Sequence, residues 1–509
     1  MATLAFWWNC GFQWSVNAIG QKESDLPNQL WLLWWENHPQ QDSLVLYPDG
    51  IVNFYSMTPI HHFIGRLLYP NIVLAHNLAT WLAVLLCIVG GGVLGRRVGR
   101  HWSATVAGAL MLLTSVPMIS ALKYGYGEFL WLGMLAIWLV SLDDVLRSQR
   151  WLALIRSTVL LSLNIVLCWY YGAAALLLVL LLFAFQKHRI IRQHLMLMTT
   201  GAIALSALFI NRFVGSALDD RMVASGFWEQ IFQGSEMVSD AHLSNIPWMI
   251  RWQLSEVGAW WSNLWLIFLV SALFVGRKYF LDDCALNQTS SKVRHWHHPL
   301  ILISCTLAAF LLGAGSYTPH QSPLPMLWIN RFLEWFGLGM HSPYHLSTIG
   351  VLCLTVLAIK YIAHKPVLVF LLPFHFIQVM QIPSWKLPIG QLPQVSAPLI
   401  HISELEQDIS KRSSQDFQYL ALLQLQHQQP IPSFPLFPMG KDLHSSLLLP
   451  KTLENFAQLR LELLEQGFGF LAFDGAIHPL ELQIRNWKMR ECCQENSFEQ
   501  TRIYQLLPH

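Results

Sequence analysis

The sequence predicts a polytopic α-helical membrane protein of about eleven transmembrane helices with a small C-terminal α/β domain outside the cytoplasm. Three observations carry this. Hydrophobic residues make up 54% of the 509 and charged residues 12%, against roughly 45–50% and 25% in soluble domains. Long apolar runs recur through the first three quarters of the chain. Basic residues gather on alternate connections between those runs, as they do on the cytoplasmic side of membrane proteins.

The runs fall near 73–95, 103–122, 129–146, 151–169, 173–186, 193–213, 259–276, 299–315, 346–363 and 366–383. Residues 1–15, "MATLAFWWNCGFQWS", are apolar but shorter than the roughly 20 residues of a full span, and they lack the basic flank of a signal peptide. They are expected to form a partial first span. One set of connections holds Arg96, Arg97 and Arg100, then Arg147 and Arg150, then Lys187, Arg189 and Arg192, and so on to fourteen basic residues; the longer opposite set holds seven. The first outside loop, 16–72, and the segments 213–256 and 316–345 therefore belong on the non-cytoplasmic face. The membrane domain is expected over 1–383. From 384 the composition turns polar and proline-rich, and 384–509 is long enough for a soluble domain outside the cytoplasm. There, "LPKTLENFAQLRLELLEQ" reads as a helix and "FGFLAF" as a short buried strand.

Composition excludes several functions. The net charge of +2 offers no field for nucleic acid. The eight cysteines form no CxxC pair, and most lie in apolar runs as small hydrophobes. "GGGVLG", 90–95, sits within a span and lacks the GK[ST] ending of a phosphate loop, so close helix packing explains it.

Three outside segments carry the chemistry-bearing residues. The first loop holds Glu23 and Asp25 ahead of a Trp-rich run, then Asp49, His61 and His62. "KYGYGEFLW", 123–131, puts Lys123 and Glu128 at the mouth of a span. "PLPMLWINRFLEWFGLGMHSPYH", 323–345, holds Arg331, Glu334, His341 and His345. Singly, each has an ordinary explanation: solvated loop acids, a helix-dipole carboxylate or an aromatic belt. Together on one face, at the edge of the bilayer where a charge is costly to desolvate, they favour a site. Acids and cations there suit a lipid-linked phosphate substrate. A carboxylate deprotonates an acceptor hydroxyl or holds a divalent cation, and basic groups steady a leaving phosphate. Asp219 and Asp220 in "SALDDRM" are weaker candidates. "HWHHP", 295–299, and "LDDCAL", 281–286, fall on the cytoplasmic side and read as ordinary loops.

The order of these features resembles bacterial multi-pass glycosyltransferases of the GT-C class. The matching residues are Asp25, "NQLWLLWW" (28–35), "YPDG" (47–50), "TPIHHFIGRLLYP" (58–70), "GYGE" (125–128), the pair Tyr170 and Tyr171, "LPML…HSPYH", and "LLEQGFGFLAFD" (463–474). The resemblance implies a GT-C-like fold in the cytoplasmic membrane. It implies transfer of a sugar from a polyprenyl-phosphate donor to a glycan, lipid or protein acceptor. Asp25 is then the catalytic base or metal ligand, with a divalent cation as possible cofactor, and Glu128 the second acid. Lys123, Arg331, His341 and His345 would contact the donor phosphate. Glu23, Trp31, Trp34, Trp35, Tyr170 and Tyr171 would face substrate, the aromatic rings along the sugar or lipid path. His341 and His345 stand where the family pattern has arginines, which fits a non-catalytic assembly partner as the main rival. A lipid or solute transporter is a second rival, disfavoured by nearly uncharged span centres.

Overall fold

The computed structural model describes residues 13–21, 26–38, 59–99, 101–125, 127–148, 150–186, 188–217, 299–313, 325–334, 346–362, 384–386, 398–401, 424–425, 456–465, 467–474, 493–498 and 501–506. The expected spans at 259–276 and 366–383, and residues 1–12 of the first, lie outside these. So do the "DD" at 219–220, "LDDCAL" and most of "HWHHP".

The chain enters with a short strand, β1 (Asn17–Ile19), then α1 (Leu26–Asn37) and α2 (Pro59–Leu68). A long helix, α3 (Ile72–Gly99), crosses to the far end. It returns as α4 (Trp102–Leu113) and α5 (Val116–Tyr124), passes through a 3-10 turn (Gly127–Trp131) and goes back as α6 (Leu132–Ser148). Then come α7 (Trp151–Leu167), α8 (Trp169–Phe185), α9 (Arg189–Ala217), α10 (Pro299–Gly313), α11 (Pro325–Glu334) and α12 (Ser347–Ile362). Among the described residues, Ile72–Gly99 and Gly127–Ser148 are long and apolar enough to cross a membrane, and a bent pair makes a third. Trp151–Leu167, Trp169–Phe185, Ile301–Gly313 and Thr348–Lys360 are shorter apolar helices.

The run expected as one span at 103–122 is two helices bent by 43°. Pro117, in the first turn of α5, has no N–H to continue the ladder. At the bend the hydroxyls add to the backbone bonds: Thr114 Oγ1 donates to Leu110 O and Ser115 Oγ to Leu112 O, both at 2.7 Å, beside the N–H groups of the same two residues.

Glycines set the bundle's spacing. A side chain at Gly91 would stand 2.5 Å from Gly108 O, and one at Gly90 or Gly133 would strike the backbone of the facing helix. The small-residue run thus brings α3 against α4 and α6, as its composition predicts. On α7, Leu152, Ile155, Val159 and Leu163 remain exposed along one helical stripe, a face suited to lipid. Polar contacts join helices inside: Ser162 Oγ meets Ser206 Oγ at 3.0 Å, and Asn164 Nδ2 donates to Met134 O of α6 at 3.4 Å.

The far end of α3 carries an ion network. Arg97 Nε donates to Asp143 Oδ2 at 2.5 Å and its Nη2 to Asp144 Oδ1 at 2.5 Å. Arg147 Nε reaches Asp143 Oδ2 at 2.6 Å, and Arg156 pairs with Asp144 and donates to Ser141 Oγ. Three helices, α3, α6 and α7, are tied together where the basic residues of the sequence gather.

Toward the C terminus, β2 (Ser384–Lys386) pairs antiparallel with β1. A four-stranded sheet is built from β3 (Leu399–His401), β4 (Phe470–Asp474), β5 (Cys493–Phe498) and β6 (Thr501–Leu506) in the order β3-β4-β6-β5. The β3–β4 pair is parallel and the others antiparallel. A helix, α13 (Phe456–Glu465), precedes β4, where the sequence reads as helix then strand.

Candidate functional site

The site assembles around the turn between α5 and α6. Helix α5 ends at Gly125, whose φ of +71° is the left-handed cap that a glycine adopts without strain. The chain then makes one 3-10 turn that starts Gly127–Glu128 and presents Glu128 half-buried at the mouth of α6.

Four other elements converge on this turn. The backbone N–H of Gln21 donates to Lys123 O at 2.8 Å. A Cβ at Gly125 would stand 2.8 Å from Leu26 Cα, so the start of α1 rests directly on the turn. Gly20, with φ +129°, turns the chain out of β1 beside Leu26 and Gly125. A Cβ at Gly127 would stand 2.9 Å from Gln29 Oε1 and 3.4 Å from His61 Nε2. Both ends of the stretch 22–25 are thus held against the Glu128 turn, although residues 22–25, with Glu23 and Asp25, lie outside the described residues.

The start of α3 completes the frame. Asn77 Oδ1 accepts from Ile19 N at 3.0 Å, and its Nδ2 donates to Asn17 O at 2.7 Å and Trp14 O at 2.9 Å. His76 Nε2 meets Ile19 O at 3.1 Å, donating to that carbonyl. One buried amide and one imidazole therefore fix β1. His61, on α2, is 2% exposed and stands edge-on to Trp131 at 5.7 Å and beside the His76 ring at 6.2 Å. Among the described residues, neither His61 ring nitrogen has a hydrogen-bond partner. Burial, then the neighbouring His76, lowers the His61 pKa to about 3, so the ring is neutral. Next to it, His62 Nδ1 lies 2.9 Å from Glu36 Oε2, clasping α2 to α1.

Tyr171 opens α8 beneath the turn and is 1% exposed. Its hydroxyl donates to Phe129 O at 2.6 Å, holding the residue after Glu128. Tyr170 is half-buried with its ring 5.5 Å from Phe129. The Glu128 charge acts on both Cys168 and Tyr171. Lys123 Nζ stands over the Tyr124 ring at 5.0 Å.

The Trp-rich run takes a different place from an open substrate path. Trp31, Trp34 and Trp35 are 0%, 2% and 1% exposed. Trp31 and Trp35 stack at 5.5 Å with a 6° interplanar angle, and Trp31 Nε1 donates to Gln424 Oε1 at 2.7 Å. They form the core that carries α1. Arg331 is exposed on α11, its guanidinium 5.7 Å from the exposed Trp328 ring. His341 and His345 lie outside the described residues.

Among the described residues no group of three His, Cys, Asp or Glu could hold a metal. Glu128, with carboxylates from 22–25, would offer the hard oxygen donors that a divalent cation such as Mg²⁺ prefers.

Sequence reasoning singled out Glu128, Lys123 and Tyr171 but missed Gln29, His76, Asn77 and Gln424. His76 and Asn77 sit in "VLAHNLATW", where two polar residues among apolar ones at the head of a span were a readable signal. Gln424 carried none.

No protein-family model matches the sequence, and no curated protein matches it. Among solved structures, the oligosaccharyltransferase of Archaeoglobus fulgidus tethered with an acceptor peptide containing the NVT sequon is similar, with a TM-score of 0.46 and 12% identity over 93% of this chain and 68% of that one. The same enzyme in complex with Zn and sulfate has a TM-score of 0.46 and 14% identity over 93% and 67%. The archaeal oligosaccharyltransferase AglB from that organism, in complex with an inhibitory peptide and a dolichol-phosphate, has a TM-score of 0.39 and 14% identity over 93% and 68%.

Proposed function

We propose that this chain is a polytopic glycosyltransferase that moves a sugar from a polyprenyl-phosphate donor to a glycan, lipid or protein acceptor on the outer face of the cytoplasmic membrane. The observation that carries the reading is the convergence of the two acid-bearing segments. Gln21 and Leu26, on either side of residues 22–25, both contact the turn that holds Glu128. Sequence distance gave no reason for the two to meet.

In this reading Asp25 takes the proton of the acceptor nucleophile as it attacks the anomeric carbon. The bond from that carbon to the donor phosphate oxygen breaks, and the polyprenyl phosphate leaves. Glu128 supports the same cavity as a second carboxylate. Lys123, Arg331, His341 and His345 supply positive charge for the leaving phosphate, with protonation required of the two histidines. A divalent cation held by the carboxylates would add charge stabilisation. Glu23 and Tyr170 flank the substrate. Trp31, Trp34, Trp35 and Tyr171 contribute from behind, by fixing α1 and the Glu128 turn. The C-terminal part, 384–509, forms the acceptor side outside the membrane.

Histidine in place of arginine at 341 and 345 favours a second reading, a non-catalytic assembly partner. Sugar release from a panel of polyprenyl-phosphate sugars by the purified protein, beside Asp25→Asn, separates them. Turnover that Asp25→Asn abolishes supports the transferase. Absence of turnover with every donor, from folded protein supplied with lipid, supports the partner.

A further inference from the structure

The stretch before α1 is gripped by residues from the far end of the chain. Strand β2 pairs with β1 through Asn17↔Lys386, Ala18↔Trp385 and Ile19↔Ser384. Trp385 then packs against the apolar cluster of α1, α2 and the start of α3. Forty residues later, Gln424 and Leu425 are 0% and 1% exposed in contact with the same region, and Gln424 Oε1 accepts from Trp31 Nε1 at 2.7 Å. The two partners are 393 residues apart in sequence.

Packing alone does not explain a glutamine there. A primary amide buried in an indole-rich cluster is costly to desolvate, and an apolar side chain would fill the space at less cost. The hydrogen bond offsets that cost and adds what an apolar contact lacks, a fixed direction. It orients the Trp31 indole, which stacks on Trp35 one helical turn further on. Residues 20–25 run from the end of β1 to the start of α1. The C-terminal part therefore holds the elements on both sides of them.

We infer that the C-terminal part of the chain positions β1 and α1, the two elements that flank residues 22–25, with Gln424 as the positioning residue acting through Trp31. The catalytic consequence rests on the transferase reading above; the mechanical one does not. The C-terminal region is then a component of the active site's frame, in addition to any acceptor it receives.

Amide hydrogen exchange on the full-length protein in lipid nanodiscs tests this. Gln424→Leu keeps the volume and removes the acceptor. Gln424→Glu, protonated in its apolar surroundings, keeps a carbonyl oxygen. Gln424→Leu should speed exchange over residues 20–31 by about fivefold, the scale of one buried hydrogen bond, and leave α6 unchanged. Gln424→Glu should restore slow exchange. Trp31→Phe should loosen the same residues, and combining it with Gln424→Leu should add nothing, since both remove one bond. Wild-type exchange over 20–31 in Gln424→Leu, or no rescue by glutamate, overturns the inference; Trp31→Phe decides it should the leucine variant not fold. In a turnover assay Gln424→Leu should lower kcat about fivefold with donor KM unchanged. Loosened exchange in a protein with no turnover in any form would support the positioning role and overturn the transferase reading.

Discussion

The amide of Gln21 donates to the carbonyl of Lys123 across 2.8 Å, tying the approach to Asp25 to the approach to Glu128. This bond spans a hundred residues of chain that include α3 and its return. It ties the chain just before residues 22–25 to the helix end that leads into Glu128, and the chemistry proposed for the protein builds on that tie.

The seam is narrow at Gly125. Its φ of +71° and the 2.8 Å from a built Cβ to Leu26 Cα leave no room for a side chain. Gly125→Ala should cost about 2 kcal/mol or more, from left-handed strain plus displacement of α1. Thermal unfolding would measure the loss. Sugar transfer by the fraction still folded should fall as well, because α1 moves off the turn.

Tyr171→Phe removes the donor to Phe129 O. It should destabilise the protein by about 1 kcal/mol, the net contribution of one hydrogen bond. The turn that presents Glu128 loses its support from below, so turnover should fall with the helical circular dichroism unchanged.

Acid should weaken this end of the bundle through His61. Burial keeps this ring neutral in the folded protein, with its pKa lowered from 6.5 to about 3. The unfolded chain binds the proton below 6.5, so the stability from a neutral His61 is complete above that pH. It is lost as pH falls from 6.5 toward about 3, at about 1.4 kcal/mol per unit. Denaturation between pH 7 and pH 4 should show at least this slope, and His61→Phe should reduce it by about that amount.

Hydropathy made much of the bundle legible, and spatial pairing stayed hidden. The helices Ile72–Gly99 and Gly127–Ser148 follow the apolar runs read at 73–95 and 129–146, and a long apolar run in lipid satisfies its backbone by forming a helix. The break at Thr114–Ser115 was signalled by Pro117 but looked like part of one span, because the flanking residues are equally apolar. Trp31, Trp34 and Trp35 read as path-lining residues because tryptophan is common both at membrane edges and in cores; only their neighbours distinguish the two. Arg97 and Arg147 were read as positive-inside residues, which says nothing of the acid that each meets. Asp143 and Asp144, at the polar end of an apolar run, were not singled out. The bond from Gln424 to Trp31 joins distant segments and has no local signature.

The ion network should be structural and remote from the chemistry. Asp143 is fully buried and accepts from Arg97 and Arg147, whose side chains are 30% and 33% exposed. Asp143→Asn should destabilise the protein by about 2–3 kcal/mol, below the 3–5 of a fully buried pair because both arginines keep some solvent. Turnover by folded protein should be unchanged, since the network ties α3, α6 and α7 at the end opposite Glu128.

The most direct measurement is the sugar-release rate of wild type, Asp25→Asn, Glu128→Gln and the double variant under one set of conditions. Two acids serving one reaction centre act as a unit, so the double variant should be no slower than the slower single. Losses that multiply, or wild-type release in either single variant, would contradict a shared site at the Gln21–Lys123 seam.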